Sequence, residues 1–135
     1  MGVLKPFQLL EINIISAQDL EPMSKKMKTY ATVWVHPTRK LTTAVDIEGG
    51  NNPTWNDKFV FRVDEEFLRQ DTSAVQIEIH CGHWFKDSLV GSVRVLVGNL
   101  IPPPLGHTII IILIILACAL LHFRYVVHLG DLKGY

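Results

Sequence analysis

A turn leads into a half-buried strand at Asn52-Pro53-Thr54-Trp55-Asn56-Asp57-Lys58-Phe59-Val60-Phe61. Pro53 fixes its own φ and pushes Asn52 toward an extended conformation, and asparagine side chains favour turns by bonding to nearby backbone. From Lys58 onward, apolar residues recur at every second position, which is typical of a strand with one face in a core. The residues of that face are Phe59, Phe61 and Val63. Together with Trp55 they predict a core element.

Most of the remaining chain continues this strand pattern. Alternation and β-branched content predict further strands at Phe7–Ala17, Tyr30–Val35, Lys40–Asp46, Val75–Ile79 and Leu89–Val97. Residues 64–68 suit a single helical turn. Because six short strands are joined by Gly, Pro and Asn turns without a long amphipathic helix, the pattern predicts an all-β antiparallel sandwich.

The composition indicates one domain of balanced charge. The chain has 135 residues, with 13 Lys and Arg against 13 Asp and Glu. This length allows one core, and the balanced charge removes the electrostatic argument for a nucleic-acid partner. Cys81 and Cys118 lie in different surroundings and predict no disulfide framework, which suits a reducing compartment. The N-terminus lacks the pattern of a signal peptide.

Several motifs stand in an order that resembles a C2 domain. They are the run Leu10–Leu20 (LEINIISAQDL), Tyr30 at a strand start, the Asn52–Phe61 stretch and Leu89-Val90-Gly91. The resemblance extends in particular to the small single-C2 proteins of plants associated with copines, cold response and defence. It implies an eight-stranded sandwich that docks on membranes or on partner proteins. Only six strands are visible by residue 101, so the C2-type sandwich either lacks its last two strands or is closed atypically.

Calcium-binding C2 domains place aspartates in their first and third loops, and the resemblance puts those positions at Ser24, Lys28, Cys81 and His83. The acids that remain nearby are Asp19 and Asp87. Calcium takes about six to eight oxygen ligands, mostly carboxylate, and neighbouring lysines repel it. We therefore expect no metal and no cofactor, with calcium-dependent phospholipid binding as an alternative.

The same two loops carry residues suited to a membrane contact. The candidate residues are Lys25, Lys26, Lys28, Trp84, Phe85 and Lys86. If both loops project from one end, as the resemblance implies, lysines would face anionic phospholipids while tryptophan enters the interface. The alternative is a solvated lysine loop, with Trp84 packed on its own domain. Arg39 and Lys40 could extend a basic surface.

No motif in the chain indicates catalysis. His80-Cys81-Gly82-His83 contains metal-ligating residue types, but adjacent strand residues point to opposite faces and no second cluster completes a tetrahedron. A Cys–His catalytic pair has no orienting group, and there is no Gly-rich phosphate loop or Gly-x-Ser-x-Gly. We therefore expect a non-enzymatic protein.

The composition changes sharply at Pro102-Pro103-Pro104, after which Ile109–Leu121 is a run of thirteen apolar residues. The run is short for a membrane-spanning helix, but its extension to Thr108–Val127 reaches about twenty residues. The predicted segments are a C2 domain at 5–101, a Pro-rich boundary at 102–107, a transmembrane anchor at 108–128 and a polar tail at 129–135. In this arrangement the C2 domain faces the cytosol.

A second interpretation of the tail remains open. Its many isoleucines favour strands, so Ile109–Leu116 could be a replacement seventh strand and Phe123–Leu129 an eighth. Residues 117–122 contain no typical turn residue, which argues against such a hairpin.

Two functions follow from these observations. The first is a non-catalytic, membrane-associated C2 protein that docks on phospholipid without calcium, in stress or defence signalling. The second is a soluble interaction adaptor that binds a partner protein, such as a copine.

Overall fold

The structure is a computed structural model that describes residues 7–98, 107–117 and 123–133. The elements are β1 (Phe7–Gln18), β2 (Thr29–Trp34), β3 (Leu41–Thr42), β4 (Thr54–Asp64), α1 (Glu65–Arg69), β5 (Ala74–Cys81), β6 (Ser88–Leu96), β7 (His107–Ala117) and β8 (Phe123–Lys133). The predicted domain start at Lys5, the three prolines and Cys118 lie outside the described residues.

The described strands form two four-stranded sheets, in the orders β4-β1-β7-β8 and β3-β2-β5-β6. Alternate residues of both sheets fill the space between them, as Leu10, Ile12 and Ile14 of β1 meet Ile77 and Ile79 of β5 in one buried cluster. Each fully buried aliphatic side chain contributes about 1.5–3 kcal/mol. The β-sandwich predicted from the alternation is confirmed.

The Asn52–Phe61 stretch forms the turn and the core strand that its pattern predicts. Trp55 is only 8% exposed, and its Nε1 donates a hydrogen bond to the Thr29 carbonyl oxygen at 3.0 Å. Phe61 and Val63 are buried, and Phe59 is partly buried against the same core. The strand begins at Thr54 instead of Lys58 and so includes the tryptophan.

The third strand is shorter than predicted and covers only Leu41–Thr42. Beyond it, side-chain hydrogen bonds interrupt the backbone pairing with β2, which resumes as a single bridge between Thr29 and Asp46. The Thr43 hydroxyl accepts a hydrogen bond from the Ala31 N–H at 2.9 Å, and the Asp57 carboxylate accepts one from the Ala44 N–H at 2.8 Å. Threonine and aspartate often divert the backbone in this way, so the segment after Thr42 becomes a loop.

The described residues of the C-terminal region form the strands β7 and β8, where a helix was predicted over residues 108–128. β7 pairs in parallel with β1, and β8 pairs antiparallel with β7. Ile111, Leu113 and Ile115 enter the buried core. No helix within the described ranges is long and apolar enough to cross a membrane.

The physical reason is that a continuous apolar run suits both a helix and a strand in the middle of a sheet. Isoleucine is β-branched and packs well on a pleated surface, and the edge of β1 offers backbone partners from Thr108 to Leu116. The alternative of a seventh and an eighth strand therefore describes this region, and the sandwich is not short of its last two strands.

Candidate functional site

Three loops meet at one end of the sandwich, where β1 finishes and β2 begins. They comprise residues 19–28, 43–53 and 82–87, and we call this the loop end. The Leu20 N–H donates to the Asn51 carbonyl at 2.9 Å and joins the first loop to the second. The Gly82 N–H donates to the Lys28 carbonyl at 2.8 Å and joins the first loop to the third. The loops therefore form one connected surface.

The second loop is held by its own turn chemistry. The Asp46 carboxylate accepts a hydrogen bond from the Gly49 N–H at 2.7 Å, and Gly50 adopts a φ of 59°, a conformation that favours glycine. A Cβ on Gly49 would lie 2.6 Å from the Asn52 carbonyl oxygen. The Asn52 side chain accepts from the Asp19 N–H at 2.9 Å, so the turn predicted before Trp55 also positions the first loop.

The three loops border an open cavity of about 520 Å³, which we call the loop cavity. Its lining residues are Ser24, Lys26, Lys28, Tyr30, Val45, Gly82, His83, Trp84 and Asp87. The structure thus brings two of the predicted lysines and the predicted tryptophan to one place. The other candidates, Lys25, Phe85 and Lys86, do not line the cavity, but all three are exposed in the same loops.

Two aromatic side chains project from the third loop. Trp84 is 96% exposed and Phe85 is 84% exposed. Their rings contact each other edge to face, with centroids 5.5 Å apart. Because Trp84 is almost wholly exposed, the alternative in which it packs on its own domain is wrong.

The loop end also exposes aliphatic side chains that the sequence patterns did not single out. Met23 lies in the first loop, and Val45 and Ile47 lie in the second, and all three are exposed. Val45 fell within the strand predicted over Lys40–Asp46, so the sequence did not indicate that it lies in a loop. Because β3 ends at Thr42, Val45 lies in the second loop and lines the cavity.

Two residues that line the loop cavity, Tyr30 and Asp87, are joined by a hydrogen bond. The Tyr30 hydroxyl donates to the Asp87 Oδ2 at 2.5 Å, and the Tyr30 ring stacks on His80 with centroids 5.2 Å apart. The hydrogen bond to Asp87, followed by burial and the carboxylate charge, raises the pKa of Tyr30 to about 12. The phenol therefore stays protonated and donates to Asp87 at any physiological pH.

The donor set of the loop cavity does not fit calcium. One oxygen of Asp87 is already bound to Tyr30, Cys81 is buried in β5, and lysines occupy position 28 and follow Ser24. No three His, Cys, Asp or Glu side chains within the described ranges are grouped as a metal site. A dication needs several converging carboxylates, whereas this cavity contains one.

The His80-Cys81-Gly82-His83 segment is divided between different environments. Cys81 points into the core, while His80 contacts Tyr30 and lies 3.5 Å from the Glu78 carboxylate. His83 lines the loop cavity. The alternation of strand residues thus separates these side chains, as predicted from the sequence.

The paired sheets, the loop end and the motif order define the class of protein. The family model of the C2 domain matches residues 8–110. The chain therefore belongs to the C2 domain family, which is typically non-catalytic.

Known proteins similar to this chain include C2 proteins of plants. Protein SRC2 of Glycine max is 32% identical over 105 residues, which are 73% of this chain and 36% of SRC2. The chain thus spans about a third of the length of this curated relative. The resemblance to plant C2 proteins is confirmed.

Two solved structures share the fold. A C2 domain-containing protein from a putative elicitor-responsive gene has a TM-score of 0.52 at 24% identity, covering 71% of this chain and 68% of that one. A C2 domain of plant Extended Synaptotagmin 1 has a TM-score of 0.65 at 15% identity and covers 98% of both chains. The second likeness extends over the β7–β8 region.

Proposed function

We propose that this C2 domain docks on anionic phospholipid membranes through its loop end, without calcium. The observation that carries the proposal is the meeting of exposed Trp84 and Phe85 with Lys26 and Lys28 around one cavity. C2 domains as a family bind membrane phospholipids. A membrane contact gives a physical reason for two aromatic rings that water otherwise surrounds.

Electrostatic attraction would bring the loop end to the membrane. Lys25, Lys26, Lys28 and Lys86 are all exposed in the first and third loops. A lysine near an anionic leaflet contributes about 1 kcal/mol. Because the whole chain has no net charge, this attraction depends on the local cluster and orients the domain.

Aromatic insertion would then hold the domain in place. Tryptophan prefers the region of the lipid head groups, where an apolar ring and a polar N–H are both accommodated. Trp84 and Phe85 project from the same loop, and exposed Val45 and Ile47 lie in the neighbouring one. Together they form an apolar tip bordered by lysines.

The proposal places the chain as a peripheral protein on the cytosolic face of a membrane. The single carboxylate of the cavity and its two lysines support calcium independence. A role in stress or defence is proposed by analogy, since one structural relative derives from a putative elicitor-responsive gene. The pathway, and a protein partner such as a copine, stay predictions.

Vesicle co-sedimentation of the full chain with a chelator present tests the proposal. The triple variant Lys25→Glu, Lys26→Glu, Lys28→Glu should bind anionic vesicles at least about tenfold more weakly, because each lysine near the leaflet contributes about 1 kcal/mol. Wild-type binding should fall with added salt and should not rise with added calcium.

The matched control reverses three charges away from the loop end. Arg62→Glu, Arg69→Glu and Arg94→Glu change the net charge by the same amount, and these residues are exposed toward the end of the sandwich that contains α1. This control should bind much as wild type does. Unchanged binding by the loop variant, or equal losses in both variants, would contradict docking through the loop end.

A further inference from the structure

The strand β4 forms one edge of its sheet, away from the loop cavity. Among the described strands it pairs only with β1, and this pairing extends from Thr54 to Asp64. Near the start of β4, the second loop contacts the strand at Asp57, whose carboxylate accepts a hydrogen bond from the Ala44 N–H at 2.8 Å. No described strand pairs with residues 58–63 on the side away from β1, so the backbone groups on that side can bind an added strand.

Three exposed side chains of this edge alternate in character. Lys58, Val60 and Arg62 occupy every second position of β4, so they lie on one face of the sheet at intervals of about 6.6 Å. Charged side chains on an edge strand commonly protect it against aggregation. Protection alone does not require the valine between the two cations, which is 41% exposed. The pattern therefore suits a ligand with an apolar group between two anionic groups.

Both cations keep hydrogen-bond donors for such a ligand. The Lys58 Nζ lies 3.7 Å from the Glu11 Oε1, but the lysine side chain is 63% exposed, and an ion pair of this kind contributes little. The Arg62 guanidinium carbon lies 4.7 Å from the centroid of the Phe7 ring. Contact with a ring leaves guanidinium N–H groups that can bind a carboxylate through two parallel hydrogen bonds.

The acidic side chains of β4 lie at the two ends of this segment and are bound within the domain. Asp57 accepts the Ala44 N–H, and the Asp64 Oδ1 accepts the Phe67 N–H at 2.7 Å as the cap of α1. The middle of the edge strand is therefore positively charged.

Charge complementarity indicates which kind of strand fits this edge. A second copy of the chain, paired antiparallel about Val60, would place Lys58 opposite Arg62, and like charges directly opposite are destabilising. An acidic strand would instead place opposite charges across the ladder. The edge strand β6 of the other sheet contains one cation, Arg94, which donates to the Thr72 carbonyl oxygen at 2.7 Å. Its edge thus lacks the pair of cations that β4 presents.

We propose that the edge of β4 binds an extended segment of a partner protein in which acidic residues at positions i and i+4 flank an aliphatic residue at i+2. The segment extends the sheet by one strand, with its carboxylates opposite Lys58 and Arg62 and its aliphatic side chain opposite Val60. Directly opposite residues of paired strands have Cβ atoms about 4.5–5.5 Å apart, which is within reach of an ion pair. This surface is separate from the loop end, and the inference does not depend on lipid docking.

Fluorescence anisotropy of labelled synthetic peptides with the full chain tests the proposal. The first peptide carries Glu at i and i+4, Val at i+2 and Thr elsewhere. The second has the same composition, but its second Glu stands at i+3, on the opposite face of a strand. Wild type should bind the first peptide about threefold more tightly, because only that peptide forms both cross-strand ion pairs. Equal binding of the two peptides, or no binding of the first, would overturn the proposal and leave the proposed lipid docking intact.

A charge exchange tests the two cations. The double variant Lys58→Glu, Arg62→Glu should bind the first peptide at least about tenfold more weakly, because both ion pairs become repulsive. It should instead bind a third peptide with Lys at i and i+4, which also shows that the variant is folded. The matched control Arg69→Glu, Arg94→Glu makes the same change of charge at exposed residues outside β4, and it should bind the first peptide as wild type does. Equal losses in both double variants would contradict binding at β4.

Two further measurements test the backbone pairing and the place of binding. Two forms of the first peptide carry N-methyl groups on alternate residues, and the forms differ in which edge of the strand is blocked. One form should lose binding and the other should keep it, because only one edge of an added strand faces β4. The variant Lys25→Glu, Lys26→Glu, Lys28→Glu should bind the first peptide as wild type does. Equal binding of both methylated forms, or loss of binding in this loop variant, would overturn strand addition at β4.

Discussion

The two ends of the sandwich both hold aromatic rings and basic side chains, but they arrange them differently. The end opposite the loop end contains α1 and the β2–β3 turn. There the Arg62 guanidinium lies 4.7 Å from the centroid of the Phe7 ring, and the other cation–ring contacts of the described residues also lie toward this end. At the loop end, Trp84 and Phe85 contact only each other as rings, and no cation of the described residues lies over either.

The difference shows that composition alone does not identify a binding surface. A cation over a ring satisfies both groups within the molecule and contributes about 0.5–1 kcal/mol at exposed sites. The lysines of the loop end line or border a cavity instead, beside rings that remain exposed. The end whose aromatic and basic groups are least satisfied internally is therefore the one available to an external partner.

The largest expected effect is on the free energy of unfolding, and it distinguishes buried Trp55 from exposed Trp84. Trp55→Ala should lower the free energy of unfolding by about 3–5 kcal/mol, because it removes a buried ring and leaves a cavity. Trp84→Ala should change it by less than about 0.5 kcal/mol, since the side chain is 96% exposed. Denaturant-induced unfolding measures both. A comparable destabilisation by Trp84→Ala would show that this tryptophan belongs to the scaffold.

The next effect concerns binding. The double variant Trp84→Ala, Phe85→Ala should bind anionic vesicles at least about tenfold more weakly, because burial of an aromatic side chain contributes about 1.5–3 kcal/mol. Phe7→Ala is the matched control, since Phe7 is an exposed ring that Arg62 covers at the opposite end. Co-sedimentation compares the three proteins. If Phe7→Ala weakens binding as much, the two ends are not distinct in function.

The smallest effect is a dependence on alkaline pH. The pKa of Tyr30 is raised from 10.0 to about 12, so the hydrogen bond to Asp87 favours the protonated phenol of the folded state. The stability it contributes is fully present below pH 10 and is lost as the pH rises toward 12. The difference in unfolding free energy between wild type and Tyr30→Phe should therefore be constant below pH 10 and shrink above it. A constant difference across this window would contradict the proposed bond.

Much of the fold could be predicted because it follows from local patterns. The alternation through Phe59, Phe61 and Val63 assigns one face of β4 to the core, since side chains of a strand point to opposite faces in turn. Pro53 and its neighbouring asparagines determine a turn by their own backbone preferences. The lysines of residues 25–28 and the aromatic pair after Gly82 could also be named as candidates from the sequence.

The C-terminal run shows where local pattern is insufficient. Ile109–Leu121 has no alternation, so periodicity could not distinguish a helix from a central strand. The structure forms β7 there because β1 has an edge that needs a partner and the opposing sheet offers a core for Ile111 and Leu113. Both conditions involve residues that are distant in the chain.

The sequence by itself determined the presence of the first six strands, the turn before Trp55 and the identity of the residues that could contact a membrane. Only the tertiary structure decided that Lys26, Lys28 and Trp84 share a cavity, and that Tyr30 holds Asp87 from 57 positions away in the chain. The physical reason is the distance along the chain over which each effect acts. Preferences in φ and side-chain alternation act over a few residues. Cavities and hydrogen bonds between distant residues depend instead on how the two sheets pack and bring the three loops together.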